Sequence, residues 1–416
     1  MVGHMAVATI AGGALLAAPA LAPAQDGEAA TSTFHHRALW IENPSSETVL
    51  SWTTSEEGSN HRVYWDTEAR NGDITQYANE TATFSDGKVT MKDDDWEWVE
   101  PAYYHHVHLD GLEADTNYYV VFASDDAVSD EFHFRTAPDE DVEVSILFGG
   151  DSRIRGMEPY NHTERQQMNL RIRHLFENYE NIIAFAHGGD YCMLADWRYM
   201  EPWLTDHEMT TTRDGRLLPV IPARGNHDRG IGFEEAFAWP ELDRNYYFET
   251  KLTPAVSLIT LNTETELGGE QRDWLAGTLA AIAPERRWLA AQYHRPAFPS
   301  VRSAADGIPR RTHWVPLFEE YGVALGMESH DHSLKRTVPI RSYAPDFERG
   351  VVYIGDGGLG APLRNPDPDR WWLQEPGMVG SVYHVHVLTF GEEELHGRAY
   401  GMGGDVVDDF TIEARE

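Results

Sequence analysis

The sequence predicts an α/β chain in two parts, an all-β sandwich followed by a layered α/β fold. Three observations carry this. From Phe34 to about Pro138, short β-type runs follow one another with turn residues between them. At Thr136-Ala-Pro-Asp-Glu-Asp-Val142 the composition turns acidic and Pro-bearing, which marks a boundary and predicts two separately folding parts. Beyond it, strands alternate with helix-spaced apolar residues, and five apolar runs end in residues suited to metals or proton transfer.

Taken in order, Met5 to Leu21 is rich in Ala, Leu, Val and Ile and leads to Ala22-Pro-Ala24 before the polar Gln25-Asp-Gly-Glu. This resembles a secretory signal peptide over 1–24, cut after Ala24, although its n-region has His4 and no Lys or Arg. A secreted or periplasmic protein is therefore expected, with 25–33 as a linker. Within the sandwich region, 34–138, the strands are read at Val49 to Thr54, His61 to Trp65, Tyr103 to Leu109, Asn117 to Phe122 and Glu131 to Arg135. Alternation along these strands assigns His35, His36, His105, His106, His108 and His133 to structure rather than metal binding.

In the second part, 142–416, helices are read from apolar residues on one face. His162 to Tyr179 aligns Met168, Ile172, Leu175, Phe176 and Tyr179. Gln271 to Ile282 aligns Trp274, Leu275, Leu279 and Ile282, and Thr312 to Tyr321 aligns Trp314, Leu317, Phe318 and Tyr321. The chain closes with strands at Val351 to Ile354, Val382 to Phe390 and Glu394 to Tyr400.

Composition narrows the function. With 416 residues, 41% of them apolar, and 13 Trp, the chain can build large cores. Its 33 Lys+Arg against 68 Asp+Glu give a net charge of −35, which argues against general nucleic-acid binding. An anionic substrate then requires a local positive site, such as metal ions. Cys192 is the sole cysteine, so no intrachain disulfide can form; beside Asp190 it reads as packing, not a nucleophile. No run after the N-terminal segment is long and apolar enough to span a bilayer.

The five polar ends are Gly150-Asp151, Gly189-Asp190, Gly225-Asn-His-Asp228, Tyr293-His294 and Ser329-His-Asp-His332. Asp, Asn and His suit hard and borderline metals, and open α/β sheets bind ligands beyond the carboxyl ends of their strands. In this order, and followed by Arg336-Thr337, the set resembles the calcineurin-like metallophosphoesterases, and more narrowly the purple acid phosphatases. Tyr103-Tyr-His-His106, Leu109-Asp-Gly-Leu112 and Tyr118-Tyr119 resemble the fibronectin-III-like N-terminal domain of that family, and Val351-Val-Tyr-Ile-Gly-Asp-Gly-Gly358 its late strand and glycine turn.

The resemblance implies an αββα catalytic domain and a secreted hydrolase of phosphate mono- or diesters acting through a metal-activated hydroxide. It implies two ions per chain, divalent or mixed-valence, drawn from Zn, Mn or Fe. Asp190 then bridges, Asn226, His294 and His330 join it on one ion, and Asp151 and His332 serve the other. His227 is implied as the substrate-side histidine, oriented by Asp228. No organic cofactor is implied.

Two positions depart from the pattern. Arg153 stands where metallophosphoesterases have a ligating His, and Met193 where purple acid phosphatases have a ligating Tyr. Tyr191 is shifted to the residue after the bridging Asp. Arg153 is either a phosphate clamp or a salt-bridge partner; Arg155, Arg229, Arg295 and Arg302 are weaker substrate contacts. One metal site is short of a ligand, so the alternative function is a weakly active or non-catalytic relative that acts as a binding protein.

Overall fold

The computed structural model describes residues 32–83, 88–89, 100–153, 163–238, 246–355 and 357–414. The expected signal segment, most of the linker, Arg155 and His162 lie outside the described residues.

The N-terminal strands turn apolar residues inward and close over one core. Thr33–Leu39, Thr48–Thr54 and Tyr103–Leu109 form one face. His61–Asp66 and Asn117–Ser124 form the other, with Asn79–Thr83, Ala127–Val128 and Phe132–Arg135 beside them. Leu50, Trp52, Val63, Val107, Val120, Phe122 and Phe134 fill the space between. The first strand, Thr33–Leu39, carries no clear alternation because its inward residues include His35 and Arg37. Hydrogen bonds make them tolerable there: His35 Nδ1 pairs with Thr53 Oγ1 at 2.8 Å, and the Arg37 guanidinium donates to the Ala236 carbonyl at 2.7 and 3.2 Å. His106 meets Ser51 Oγ at 2.7 Å and His105 meets Thr54 Oγ1 at 2.8 Å, so these histidines serve packing as expected.

In the second part the strands are buried on both faces. Val144–Gly149, Ile182–His187 and Val220–Pro222 run parallel. The antiparallel strands His384–Phe390, Glu394–Gly401 and Val406–Glu413 extend the sheet on one side. On its other side Leu39 pairs with Val220, so the sandwich face continues the same nine-stranded sheet. A seven-stranded sheet, with Val256–Thr260, Trp288–Gln292, Leu325–Met327 and Val352–Gly355 parallel at its centre, faces it.

Ile146, Phe148, Ala184 and Ala186 meet Leu258, Ala290, Leu325 and Ile354 between the sheets. On the outer face Leu147 and Phe185 pack under the helices Thr163–Asn178 and Trp197–His207. Gly269–Ile282 and Val315–Tyr321 cover the second sheet. The order of layers is αββα. The helix expected over Thr312 to Tyr321 is two helices, Ile308–His313 and Val315–Tyr321, broken at Trp314. Pro316 is the cause: it lacks the N–H that would continue the first helix, yet suits the first turn of the second.

Candidate metal centre

All five polar clusters leave the carboxyl ends of parallel strands and converge where the two sheets face each other. Backbone bonds hold the turns together. Gly188 N donates to Gly149 O at 2.7 Å, Asp151 N to Gly189 O at 2.9 Å, and Ser329 N to His294 O at 2.9 Å. The turns are tight enough to put Asp151, Asp190, His330 and His332 at φ of 55°, 58°, 83° and 56°, a strained region for residues with a Cβ. Gly225 permits a close crossing, since a Cβ there would lie 2.3 Å from both the nitrogen and Oδ1 of Asp190.

Two groups of donors result, Asp190 with His294 and His330, and Asp151 with Asp190 and His332, and they share Asp190. His294 Nε2 lies 3.3 Å from Asp190 Oδ1, 3.2 Å from Asn226 Oδ1 and 3.1 Å from His330 Nδ1. His332 Nε2 lies 3.1 Å from Asp151 Oδ1. The six residues expected as ligands are therefore together.

Their outer partners fix which atom faces inward. His294 Nδ1 meets the Gly188 carbonyl at 2.9 Å and His332 Nδ1 the Pro362 carbonyl at 3.0 Å, so each presents Nε2 to the centre. Asp151 Oδ1 and Asp190 Oδ2 are buried without a hydrogen-bond partner among the described residues. Orphaned carboxylate oxygens facing imidazole lone pairs are a donor set for a cation.

The electrostatics agree. Burial opposes charge on Asp190, but the His294 charge and hydrogen bond, with His227 beyond, hold its carboxyl far below the usual range. Burial alone would lower His294, yet Asp190, Asp151 and Glu264 push it up to about 10. His330 is driven far down by burial and by the His294 charge. One positive charge is thus wanted between two imidazoles 3.1 Å apart, and a metal ion satisfies that demand as a proton does.

His227 borders the centre, with its backbone N–H donating to Asp190 Oδ1 at 2.8 Å and Nε2 4.0 Å from Asp190 Oδ2. Asp228 does not orient it, which corrects the expected role. Its Oδ2 accepts the N–H groups of Asp190 and Gly225 at 2.7 Å, and Oδ1 that of Tyr191 at 3.0 Å. A buried carboxylate three residues after a glycine closes on the turn's own donors, and His227 Nδ1 meets the Met193 carbonyl instead, at 3.1 Å.

The two departures from the ligand pattern touch each other. Arg153 Nη1 lies 3.0 Å from Met193 Sδ, and its Nε 3.5 Å from Asp190 Oδ2, so this guanidinium leans on the shared carboxylate. Tyr191 is no substitute ligand: it is buried, stacks on His187 at 3.9 Å and approaches the His187 carbonyl. Cys192 is buried and its thiol is pushed up by burial and the Asp228 charge, as packing requires.

Among the weaker candidates, Arg295 is held by Glu264 at 2.7 and 3.2 Å, and Arg302 Nε lies 3.6 Å from Asp331. Arg229 is exposed. A cavity of about 580 Å³ opens beside Asn226 and His330, lined also by Arg295, Arg302, Arg310 and Pro299. Sequence reasoning missed the carbonyl partners at Gly188 and Pro362, and it missed Gly357, where a Cβ would lie 1.9 Å from Asp151 Oδ2. Only the glycine turn after the 352–355 strand signalled that last approach.

Helices outside two facing sheets, with donors from five strand ends meeting over one carboxylate, define the metallophosphoesterase class. More particularly, the chain is purple acid phosphatase-like, with an N-terminal β-sandwich. The family model described as the N-terminal domain of purple acid phosphatase matches residues 34–136. An uncharacterized protein of Mycobacterium tuberculosis is 26% identical over 385 residues, covering 77% of this chain and 68% of its own. Purple acid phosphatase 1 of Ipomoea batatas is 22% identical over 385 residues, covering 84% and 77%. In structure, the purple acid phosphatase PPD1 from yellow lupin (Lupinus luteus) seeds aligns with a TM-score of 0.74 at 19% identity, covering 92% of this chain and 74% of that one. These likenesses point to a phosphoesterase hydrolase.

Proposed function

We propose that the chain hydrolyses phosphate esters of small molecules with two metal ions, drawn from Zn, Mn or Fe. The observation that carries this is the sharing of Asp190 by two buried donor groups at the mouth of both sheets. When bound, the ions supply positive charge to the phosphoryl oxygens and lower the pKa of an attacking water. The protein's own groups do the rest. Asn226, His294 and His330 complete one set of donors with Asp190, while Asp151 and His332 complete a smaller one. His227 Nε2 is free to hold a phosphate oxygen or to pass a proton to the leaving group. Arg153 adds fixed positive charge beside the smaller donor set.

The second reading, a weakly active or non-catalytic binding protein, draws its support from that smaller set. It has three protein donors against four, with Arg153 against the shared carboxylate. Fewer donors mean weaker binding and more positions for water. Elemental analysis with turnover of p-nitrophenyl phosphate and its bis ester separates the readings. Turnover of either ester that depends on metal supports the enzyme; a loaded protein without turnover supports the binder. Metal titrated into the stripped protein is expected to fill one tight and one labile site. Met193→Tyr is expected to tighten the labile one; two equal sites in the unaltered protein, or a purple iron form, would sink the idea of a depleted site. Export, the remaining part of the proposal, rests on the Ala22-Pro-Ala24 pattern, and a mature N-terminus at Gln25 is its test.

A further inference from the structure

We infer that Arg364 and Arg302 form an anion subsite beside the metal centre, which holds a second anionic group of a phosphate-ester substrate. The inference rests on the phosphoesterase reading and adds the class of ester.

The first ground is position. Residues 359–364 wrap the Asp151 and His332 half of the centre. Leu359 N donates to Gly150 O at 3.1 Å, Ala361 N to Asp151 O at 2.8 Å, and Arg364 N to His332 O at 2.9 Å, while Pro362 O meets His332 Nδ1 at 3.0 Å. Arg364 is thus fixed by its backbone to a ligand residue, on the wall of the site.

The second ground is that its charge has no partner. The Arg364 side chain is half-buried and makes no ion pair or hydrogen bond among the described residues. Other partly or fully buried arginines here are tied: Arg165 to Asp206, Arg295 to Glu264, Arg336 to Asp408. Of the acids whose fields reach Arg364, each engages one oxygen with backbone, while Asp331 Oδ1 faces Arg302 Nε at 3.6 Å and Asp151 Oδ1 faces His332 Nε2 at 3.1 Å, so neither pairs with Arg364. Asp331 Oδ2 accepts the N–H groups of Ser300 and Val301 at 2.7 Å, and Asp151 Oδ2 that of His330 at 2.6 Å. Burial lowers the Arg364 pKa, and the Arg302 and Arg153 charges act in the same direction. Three guanidinium groups in one another's field, partly desolvated, are stabilised by an anion between them.

The third ground is shape. Asp367 N donates to Ser300 O at 2.8 Å, so the segment that carries Arg364 runs against the loop that carries Arg302, and Arg302 lines a cavity large enough for a small-molecule ligand. The scissile phosphate belongs over the metal donors, so the Arg302 and Arg364 forks meet a further anion on the same molecule. A guanidinium fork matches two phosphate oxygens at once.

The test uses the full chain loaded with metal, with inorganic phosphate and inorganic pyrophosphate as probes and calorimetry as the readout. Pyrophosphate is expected to bind at least roughly tenfold tighter than phosphate, the gain from one charge-assisted pair. Arg364→Gln is expected to abolish most of that ratio, with metal content and near-ultraviolet circular dichroism unchanged. Arg364→Lys restores part of it, and Arg302→Gln lowers it as well. A ratio near one in the unaltered protein, or the same ratio in Arg364→Gln, overturns the subsite, including the case in which pyrophosphate is held by the metals alone. If p-nitrophenyl phosphate is not turned over but the ratio and its loss are seen, the subsite stands and the enzymatic reading falls.

Discussion

A hydrogen bond from His227 Nδ1 to the Met193 carbonyl, 3.1 Å long, leaves Nε2 as the ring atom that faces the centre. Its neighbour Asp228 holds three backbone N–H groups from the turns that carry Asp190 and Asn226. The two residues therefore fail differently when changed. His227→Ala is expected to lower kcat by about two orders of magnitude, the usual range for a proton-transfer or oxyanion contact, with metal content near normal. Asp228→Asn turns an amide N–H toward at least one of those donors, leaving it buried and unsatisfied at about 1–3 kcal/mol. Thermal midpoint and metal affinity should fall together in that variant. An Asp228→Asn protein with normal metal binding and a selective kcat loss would restore the orienting role. The candidate ligands were legible because each sits two to five residues past the end of an apolar strand. Asp228 was not, because an acid after Gly-Asn-His reads equally as a turn cap or as a histidine partner. Arg364 was not, because it lies in coil where no periodicity marks it.

At the level of elements, the strand Thr33–Leu39 decides how the two parts depend on each other. Trp40 N donates to Val220 O at 2.9 Å, and Lys251 N to Glu42 O at 2.8 Å. Trp40 and Ile41 enter the core between the central sheets. Arg37 and His106 satisfy the carbonyls of Ala236 and Glu235. Removing the sandwich leaves these carbonyls unpaired, opens an apolar core and bares the edge of the Val220–Pro222 strand, an invitation to aggregation. Residues 142–416 expressed alone are thus expected to be insoluble or to lack near-ultraviolet circular dichroism, against the separate folding that the 136–142 composition break predicts. A soluble fragment with the full chain's thermal midpoint would show that the join contributes little. Composition records where the chain crosses between parts; it carries no sign of a sheet that continues across. Most expected strands lie within two residues of those observed, because turn residues bound each β-type run. The hairpin Phe248–Thr253 and Val256–Thr260 and the helix Trp197–His207 escaped notice. Only Phe248 and Leu252 are apolar in the first strand, and Pro202 interrupts the helical reading in the last.

Across the whole molecule, burial of imidazole sets the response to acid. His35, His106, His207, His384 and His386 are buried, and burial is the first cause that lowers each of their pKa values. His207 falls to about 3 and His384 to about 4. Between those values and the ordinary value near 6.5, the unfolded chain binds protons that the folded chain refuses. The unfolded state then carries more protons, so stability is complete above about pH 6.5 and declines as pH falls. Each such histidine costs up to about 1.4 kcal/mol per pH unit once the unfolded imidazole is protonated, so two of the five remove about 3 kcal/mol between pH 6.5 and 5. That is a large part of a typical stability of about 5–15 kcal/mol. The surface works the other way, because protonating carboxylates relieves the repulsion of a net charge of −35, but they titrate mainly below pH 5. Salt distinguishes the two, since it screens exposed charges and not buried rings. The urea midpoint is therefore expected to drop from pH 7.5 to pH 5 at both about 0.1 M and about 1 M salt, by similar amounts. A midpoint that holds to pH 5 at high salt would mean that these imidazoles gain protons in the folded state and find partners for them.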